Sequence, residues 1–152
     1  RKDRNLVKSL FLNAELLEEH NRVLKAKYDR MQQEEIRYES YNADADYKVL
    51  IVSYGIISRV CRTAIDMLKS EGLDVGMIRP QTLFPFPEKA VKEAAAKGSC
   101  KATISIELNM GQMVEDVERS VQGACKVHWY GKAGGDIPTP EEIINVVKPL
   151  SV

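Results

Sequence analysis

The chain has 152 residues, 44% of them apolar and 29% charged, with 22 Lys and Arg balancing 22 Asp and Glu. A length of this kind suits an ordinary globular protein, and the even charge excludes the basic face that binding along a nucleic acid demands. No apolar run approaches the roughly 20 residues that cross a bilayer, and no apolar leader with a small-residue cleavage site follows the basic start.

Residues 1–46 contain neither Gly nor Pro. Leu10, Leu17, Leu24 and Met31 recur every seven residues, and Leu16, Val23 and Tyr28 fill the same stripe. This period predicts a helix over residues 14–36, about 34 Å long at ~1.5 Å per residue, with Asn13 placed to cap its first turn. Three repeats are few for a coiled coil, so the expectation is one amphipathic helix docked on a surface of the same polypeptide or a partner. The polar run Asn42-Ala43-Asp44-Ala45-Asp46 ends this arm. The chain begins with Arg rather than Met, which fits a piece of a longer polypeptide.

Residues 47–152 alternate strand and helix patterns. The β-branched run 47–53 predicts a buried strand, Gly55 a tight turn, and Val60, Ala64, Ile65 and Leu68 one face of a helix that Gly72 stops. A second strand is expected over 75–79, then an irregular segment imposed by Pro80, Pro85 and Pro87 around Leu83, Phe84 and Phe86. A helix over 88–97, a strand over 102–107, a helix over 111–123, a strand over 126–130 and a helix over 140–148 complete the order. Strands separated by helices of this length build βαβ units. The expected fold is a three-layer α/β/α arrangement with a mostly parallel sheet of four or five strands, preceded by the N-terminal helical arm.

Residues 103–113, Thr-Ile-Ser-Ile-Glu-Leu-Asn-Met-Gly-Gln-Met, form the most informative stretch. A short strand stops at Glu107, Asn109 and Gln112, and a helix follows Gly111; in open α/β sheets ligands and partner surfaces gather at such carboxyl-end corners. Two readings stand side by side: a hydrogen-bonding set at a cleft or subunit boundary, or a self-contained cap in which Asn109 and Glu107 serve the helix's own amides. Tyr54-Gly55 makes another strand-to-helix turn, with Arg59 one helical turn on. Such a turn can face an anion, but without a Gly-x-Gly-x-x-Gly the favoured reading is a tight turn, and for Arg59 a salt bridge rather than a phosphate clamp. Of Phe84 and Phe86, one ring is expected to fill the sheet–helix layer and the other could anchor an interface. His128 and Trp129 should face opposite sides of a strand, with His128 structural, and residues 131–135 connect flexibly. Cys61, Cys100 and Cys125 are scattered without a Cys-x-x-Cys pair, and His20 and His128 lack ligand-spaced neighbours. The plain expectation is a reduced, cytoplasmic, metal-free protein.

Taken in order, Tyr54-Gly55 with Arg59, Arg79-Pro80-Gln81-Thr82-Leu83-Phe84-Pro85-Phe86-Pro87, Glu107-Leu108-Asn109-Met110-Gly111-Gln112-Met113, Tyr130-Gly131-Lys132 and Pro140-Glu141-Glu142-Ile143 carry a resemblance. They resemble the C-terminal, transketolase C-terminal-like domain of the α subunit of 2-oxoacid:ferredoxin oxidoreductases. The arm, with Lys8-Ser9-Leu10-Phe11-Leu12, Leu17-Glu18-Glu19-His20-Asn21 and Arg37-Tyr38-Glu39, is most like the branched-chain, 2-oxoisovalerate members. Ile56 departs from the pattern, since relatives often carry Ser or Thr after the Tyr-Gly pair; Ser58 lies one helical step away.

The resemblance implies an enzyme that decarboxylates a 2-oxoacid on thiamine diphosphate with magnesium, passes the acyl group to coenzyme A, and sends electrons through iron–sulfur clusters to ferredoxin. It implies that residues 1–46 are the linker and helical arm leaving an N-terminal catalytic domain absent from this chain, and residues 47–152 the transketolase C-terminal-like domain. On that basis no cofactor is expected in the fragment and no residue of it is catalytic. Its partners would be the other subunits and the absent domain, and Tyr54, Gly55, Arg59, Glu107, Asn109 and Gln112 would be the candidate cleft or subunit-interface residues. The rival readings are a stand-alone small-molecule-binding module and the equivalent domain of a transketolase or NAD-linked 2-oxoacid dehydrogenase.

Overall fold

The computed structural model describes residues 10–151, which form two compact units dividing between Glu35 and Ile36. In the first unit, helix α1 (Ala14–Glu34) starts where Asn13 Oδ1 accepts from the Leu16 amide at 3.0 Å, the predicted cap. Pairs four residues apart, Arg22 with Glu18 and Lys25 with Asp29, run along its surface. None of its residues is buried, so the predicted apolar stripe is open within this unit.

The second unit holds strands β1 (Tyr38–Tyr41), β2 (Val49–Ser53), β3 (Val75–Pro80), β4 (Ala102–Glu107) and β5 (Lys126–Gly131). Helices α2 (Ile57–Ser70), α3 (Glu88–Ala95), α4 (Met113–Val121) and α5 (Pro140–Val147) connect or follow them, and a 3-10 turn over Lys148–Ser151 closes the described chain. The sheet order is β1-β3-β2-β4-β5, with only β1 antiparallel.

Strand β1 lies before residue 46: Tyr38 pairs with Pro80 and Tyr41 with Met77, so residues 38–41 extend the sheet. The strand escapes a hydrophobicity scan because it is four residues long and on an edge, where a charge protects against further pairing. Its Glu39 is held by Arg62, by Arg79 Nη1 at 3.1 Å and by Gln81 Nε2 at 2.7 Å. The Arg79 hydrogen bond, with help from Arg62 and Gln81, keeps the Glu39 carboxyl below its usual range despite some desolvation.

Alternation along β2 explains the layers. Val49 and Ile51 face α2 and α5, with Ile57, Ile65, Leu68, Met77, Ile104 and Ile143. Leu50 and Val52 face α3 and α4, with Ile78, Phe86, Val91, Met113 and Val117. A parallel sheet must bury both faces, and each side chain of this size withdrawn from water contributes about 1.5–3 kcal/mol. Phe86 is the ring that fills a layer, whereas Phe84, joined to Pro85 by a cis peptide, is exposed.

The chain leaves β2 toward β3 on one side and then crosses back to β4 and β5 on the other. The direction of winding therefore reverses between β2 and β4, and the carboxyl ends of those strands flank the place where open α/β sheets form a crevice.

Candidate functional site

The predicted corner lies at that reversal. Glu107 ends β4 and is fully buried. Its Oε2 accepts from the amides of Met113 at 2.7 Å and Gln112 at 3.2 Å, and its Oε1 from the Val114 amide at 3.0 Å and Ser105 Oγ at 2.8 Å. Gln112 is the N-cap of α4 but its side chain makes no capping bond, so the carboxylate of Glu107 does that work from the neighbouring strand. The side-chain amide of Asn109 sits one step further out. Its Oδ1 accepts from the amides of Gly111 at 2.7 Å and Gln112 at 3.2 Å, and its Nδ2 donates to Tyr54 OH at 3.3 Å. That last bond spans from the end of β4 to the end of β2, across the reversal.

The structure thus joins Glu107, Asn109, the Gln112 backbone and Tyr54 in one network. Gly55 belongs to the adjoining turn, where its φ of +66° suits a residue without a Cβ, and Ser58 Oγ donates to its carbonyl at 2.6 Å. Arg59 is not joined: it is exposed one turn into α2, and its guanidinium has no hydrogen-bond or ion-pair partner among the described residues. The salt bridge expected for Arg59 is therefore not formed within this unit.

Three residues that support the corner were not among the candidate site residues read from the sequence. Ser105 lies two positions before Glu107 on the same strand face, a period-two relation that could have signalled the contact. Gly131 pairs with Glu107 across β4 and β5, and a Cβ on it would lie 2.5 Å from the Asn109 carbonyl and 2.6 Å from Trp129 Cζ2. Trp129 also reaches Gly111, with ring atoms 3.4 Å from where its Cβ would be. The loop 108–111 can descend over the sheet edge only because position 131 carries no side chain. Beyond it, Lys132 Nζ is fixed by Asp136 at 2.8 Å and Glu142 at 2.8 Å, and the Glu142 carboxylate closes a capping box with Thr139 at the start of α5. Those two carboxylates raise the Lys132 pKa above its ordinary value, and through Glu142 they tie the start of the 131–135 connection to α5.

His128 is half-buried in β5; desolvation, then the charge of Lys126, holds its pKa below 6.5. Among the described residues no three His, Cys, Asp or Glu side chains gather as a metal site. Cys61 belongs to the α2–α5 side of the sheet and Cys100 and Cys125 to the other. Cysteines divided between the two sides of the sheet do not fit an iron–sulfur cluster. Nor is any helix of the described residues long and apolar enough to cross a membrane.

Residues 45–143 match the family described as pyruvate:ferredoxin oxidoreductase core domain II. The chain is 40% identical over 148 residues to the ketoisovalerate oxidoreductase subunit VorB of Methanothermobacter thermautotrophicus, covering 97% of this chain and 41% of that protein. It is 40% identical over 104 residues to the 2-oxoglutarate synthase subunit KorA of Methanothermobacter marburgensis, covering 68% of this chain and 27% of that protein. A solved 2-oxoglutarate:ferredoxin oxidoreductase from Magnetococcus marinus, with 2-oxoglutarate, coenzyme A and succinyl-CoA bound, superposes with a TM-score of 0.74 at 25% identity, over 93% of this chain and 24% of that one. The chain therefore spans less than half the length of these relatives. With two thirds of its residues under the family match and this architecture, the chain belongs to the pyruvate:ferredoxin oxidoreductase core domain II family.

Proposed function

We propose that this chain is the structural and assembly domain of a 2-oxoacid:ferredoxin oxidoreductase subunit. In that enzyme a 2-oxoacid is oxidatively decarboxylated to an acyl-CoA with reduction of ferredoxin, in the cytoplasm. Thiamine diphosphate, magnesium and the iron–sulfur clusters belong to the rest of the complex, including a catalytic domain preceding the arm, and ferredoxin and coenzyme A meet the complex. The match to VorB supports 2-oxoisovalerate as the substrate, although KorA is nearly as similar over its shorter span. Substrate choice then rests with residues outside this chain.

One observation carries the assembly role. At the winding reversal, where this architecture usually admits a ligand, Asn109 bridges to Tyr54 and the Glu107 carboxylate is fully engaged by amides and Ser105. A corner whose acceptors face its own backbone works as a joint. A second reading, a coenzyme A contact at the Gly55 turn, is favoured only by the exposed Arg59. Calorimetric titration of the chain with coenzyme A and with magnesium thiamine diphosphate tests both. The assembly role expects no saturable heat with either ligand and no 2-oxoacid-dependent reduction of a viologen dye. Saturable heat with coenzyme A that disappears in Arg59→Ala would replace it with the second reading.

A further inference from the structure

Apart from Met67 in α2 and Tyr38 and Trp129 within strands, the exposed large apolar side chains of the second unit belong to the segments at one edge. The parallel strands lie in the order β3-β2-β4-β5, and the connection leaving the carboxyl end of each carries a large exposed apolar residue: Leu83 (48% exposed), Ile56 (53%), Met110 (77%) and Ile137 (43%). Ile36, 37% exposed, joins this row, because antiparallel β1 begins opposite Pro80 at the end of β3. At the other edge, the connections 42–48, 71–74, 96–101 and 122–125 expose no large apolar side chain among the described residues. Single exposed apolar residues are ordinary; a row along one edge, with polar connections at the other, marks an interaction surface.

Met110 is the strongest member. A flexible tip would lose conformational freedom on docking, but this one is fixed beforehand. Asn109 on one flank accepts from the Gly111 and Gln112 amides and donates to Tyr54, and Glu107 holds the amides beyond. Preorganisation of this kind lowers the entropy lost on association. In the middle of the row, beside Ile56, Arg59 presents a guanidinium without a partner among the described residues.

We infer that this edge is the docking face for the remainder of the same subunit, and that the covering surface is apolar with a carboxylate opposite Arg59. Two observations select that occupant. The chain accounts for 41% of the VorB relative and 24% of the solved structural relative, so in both proteins most of the polypeptide lies outside the matching region. The backbone also enters the second unit at this edge, through Ile36. The inference rests on the assembly role and names the face that performs it.

The test uses the full-length subunit within its assembled enzyme. Benzoylphenylalanine placed at Met110 should, on photolysis, give cross-linked peptides pairing this loop with residues of the same polypeptide outside the present chain. Hydrogen peroxide should oxidise Met110 in the assembled enzyme roughly tenfold or more slowly than in the urea-unfolded enzyme. Cross-links to a different subunit or to a second copy overturn the inference, as does oxidation of Met110 at the unfolded rate. A deletion of residues 36–152 separates the two levels: if it leaves the enzyme assembled, the assembly role itself fails. If the deletion abolishes assembly while Met110 oxidises freely, only the docking face is wrong.

Discussion

Replacing Glu107 by Ala should be the most destabilising single change at the corner that leaves the sheet's apolar core intact. The carboxylate accepts four hydrogen bonds, and truncation leaves all four donors without it. The Met113 amide and the Ser105 hydroxyl are buried, and a buried unsatisfied donor costs about 1–3 kcal/mol. The hydroxyl can rotate toward another acceptor, and the amides of Gln112 and Val114 lie nearer to water. Together with a lost helix cap, usually about 1 kcal/mol, the expected loss is about 3 kcal/mol, a substantial part of the ~5–15 kcal/mol available to a domain. Urea unfolding followed by far-ultraviolet circular dichroism should show a lower midpoint at unchanged slope, and the melting temperature should fall by about 10 °C. Glu107→Gln keeps one oxygen for the Met113 and Gln112 amides, while its new NH2 group meets the Val114 amide head-on and can donate only to Ser105. It should lose roughly half as much. An Ala variant within about 0.5 kcal/mol of wild type, or a Gln variant as unstable as Ala, would refute the cross-strand cap.

Gly131→Ala should force the 108–111 loop off the sheet edge, because its Cβ would meet the Asn109 carbonyl at 2.5 Å. A loss of about 1–3 kcal/mol is expected, with a shift in the fluorescence of Trp129, which an unchanged emission spectrum would contradict. The Glu39 carboxyl titrates below its ordinary 4.5 in the folded state, so its contribution to stability is present above that value and is lost as pH falls through the lower folded pKa. Glu39→Gln should therefore flatten the acid limb of the stability curve below about 4.5 and change little near neutrality. His128 behaves in the same direction: a folded pKa below 6.5 means that the unfolded chain takes up the proton first, and stability declines as pH drops from 6.5 toward the folded pKa. Its imidazole should titrate below 6.5 by nuclear magnetic resonance and move upward in Lys126→Gln.

The parallel layers were legible in the sequence because burial on both faces writes itself as β-branched runs, as in Val49-Leu50-Ile51-Val52, separated by helices with one apolar face. The β1 strand was not. Tyr38-Glu39-Ser40-Tyr41 has one face against Arg62 and Asp66, and it is held by Glu39 pairing and by the 2.6 Å bond from Tyr41 OH to Asp66, which no hydrophobic period reports. At the corner, residue types exposed the polar cluster but could not distinguish a ligand cleft from a cap. The difference depends on which way two carboxylate oxygens point. Gly131 was equally opaque, since its role comes from a loop more than twenty positions earlier in the chain.

The stretch from Glu107 to Gln112 therefore has an inward and an outward function that adjacent residues should separate. Asn109 faces inward: Asn109→Ala removes the acceptor for two amides and the link to Tyr54, at about 1–2 kcal/mol. Met110 faces outward and is 77% exposed, so Met110→Lys should change the stability of the domain by no more than about 0.5 kcal/mol. In the assembled enzyme the order should invert, because a lysine set against an apolar surface must either bury its charge or hold the surfaces apart. Weaker assembly from Met110→Lys than from Asn109→Ala, by native mass spectrometry over a dilution series, is the expected result. Equal losses in proportion to stability would mean that the loop serves only its own fold, and that its hydrogen bonds present nothing to a neighbour.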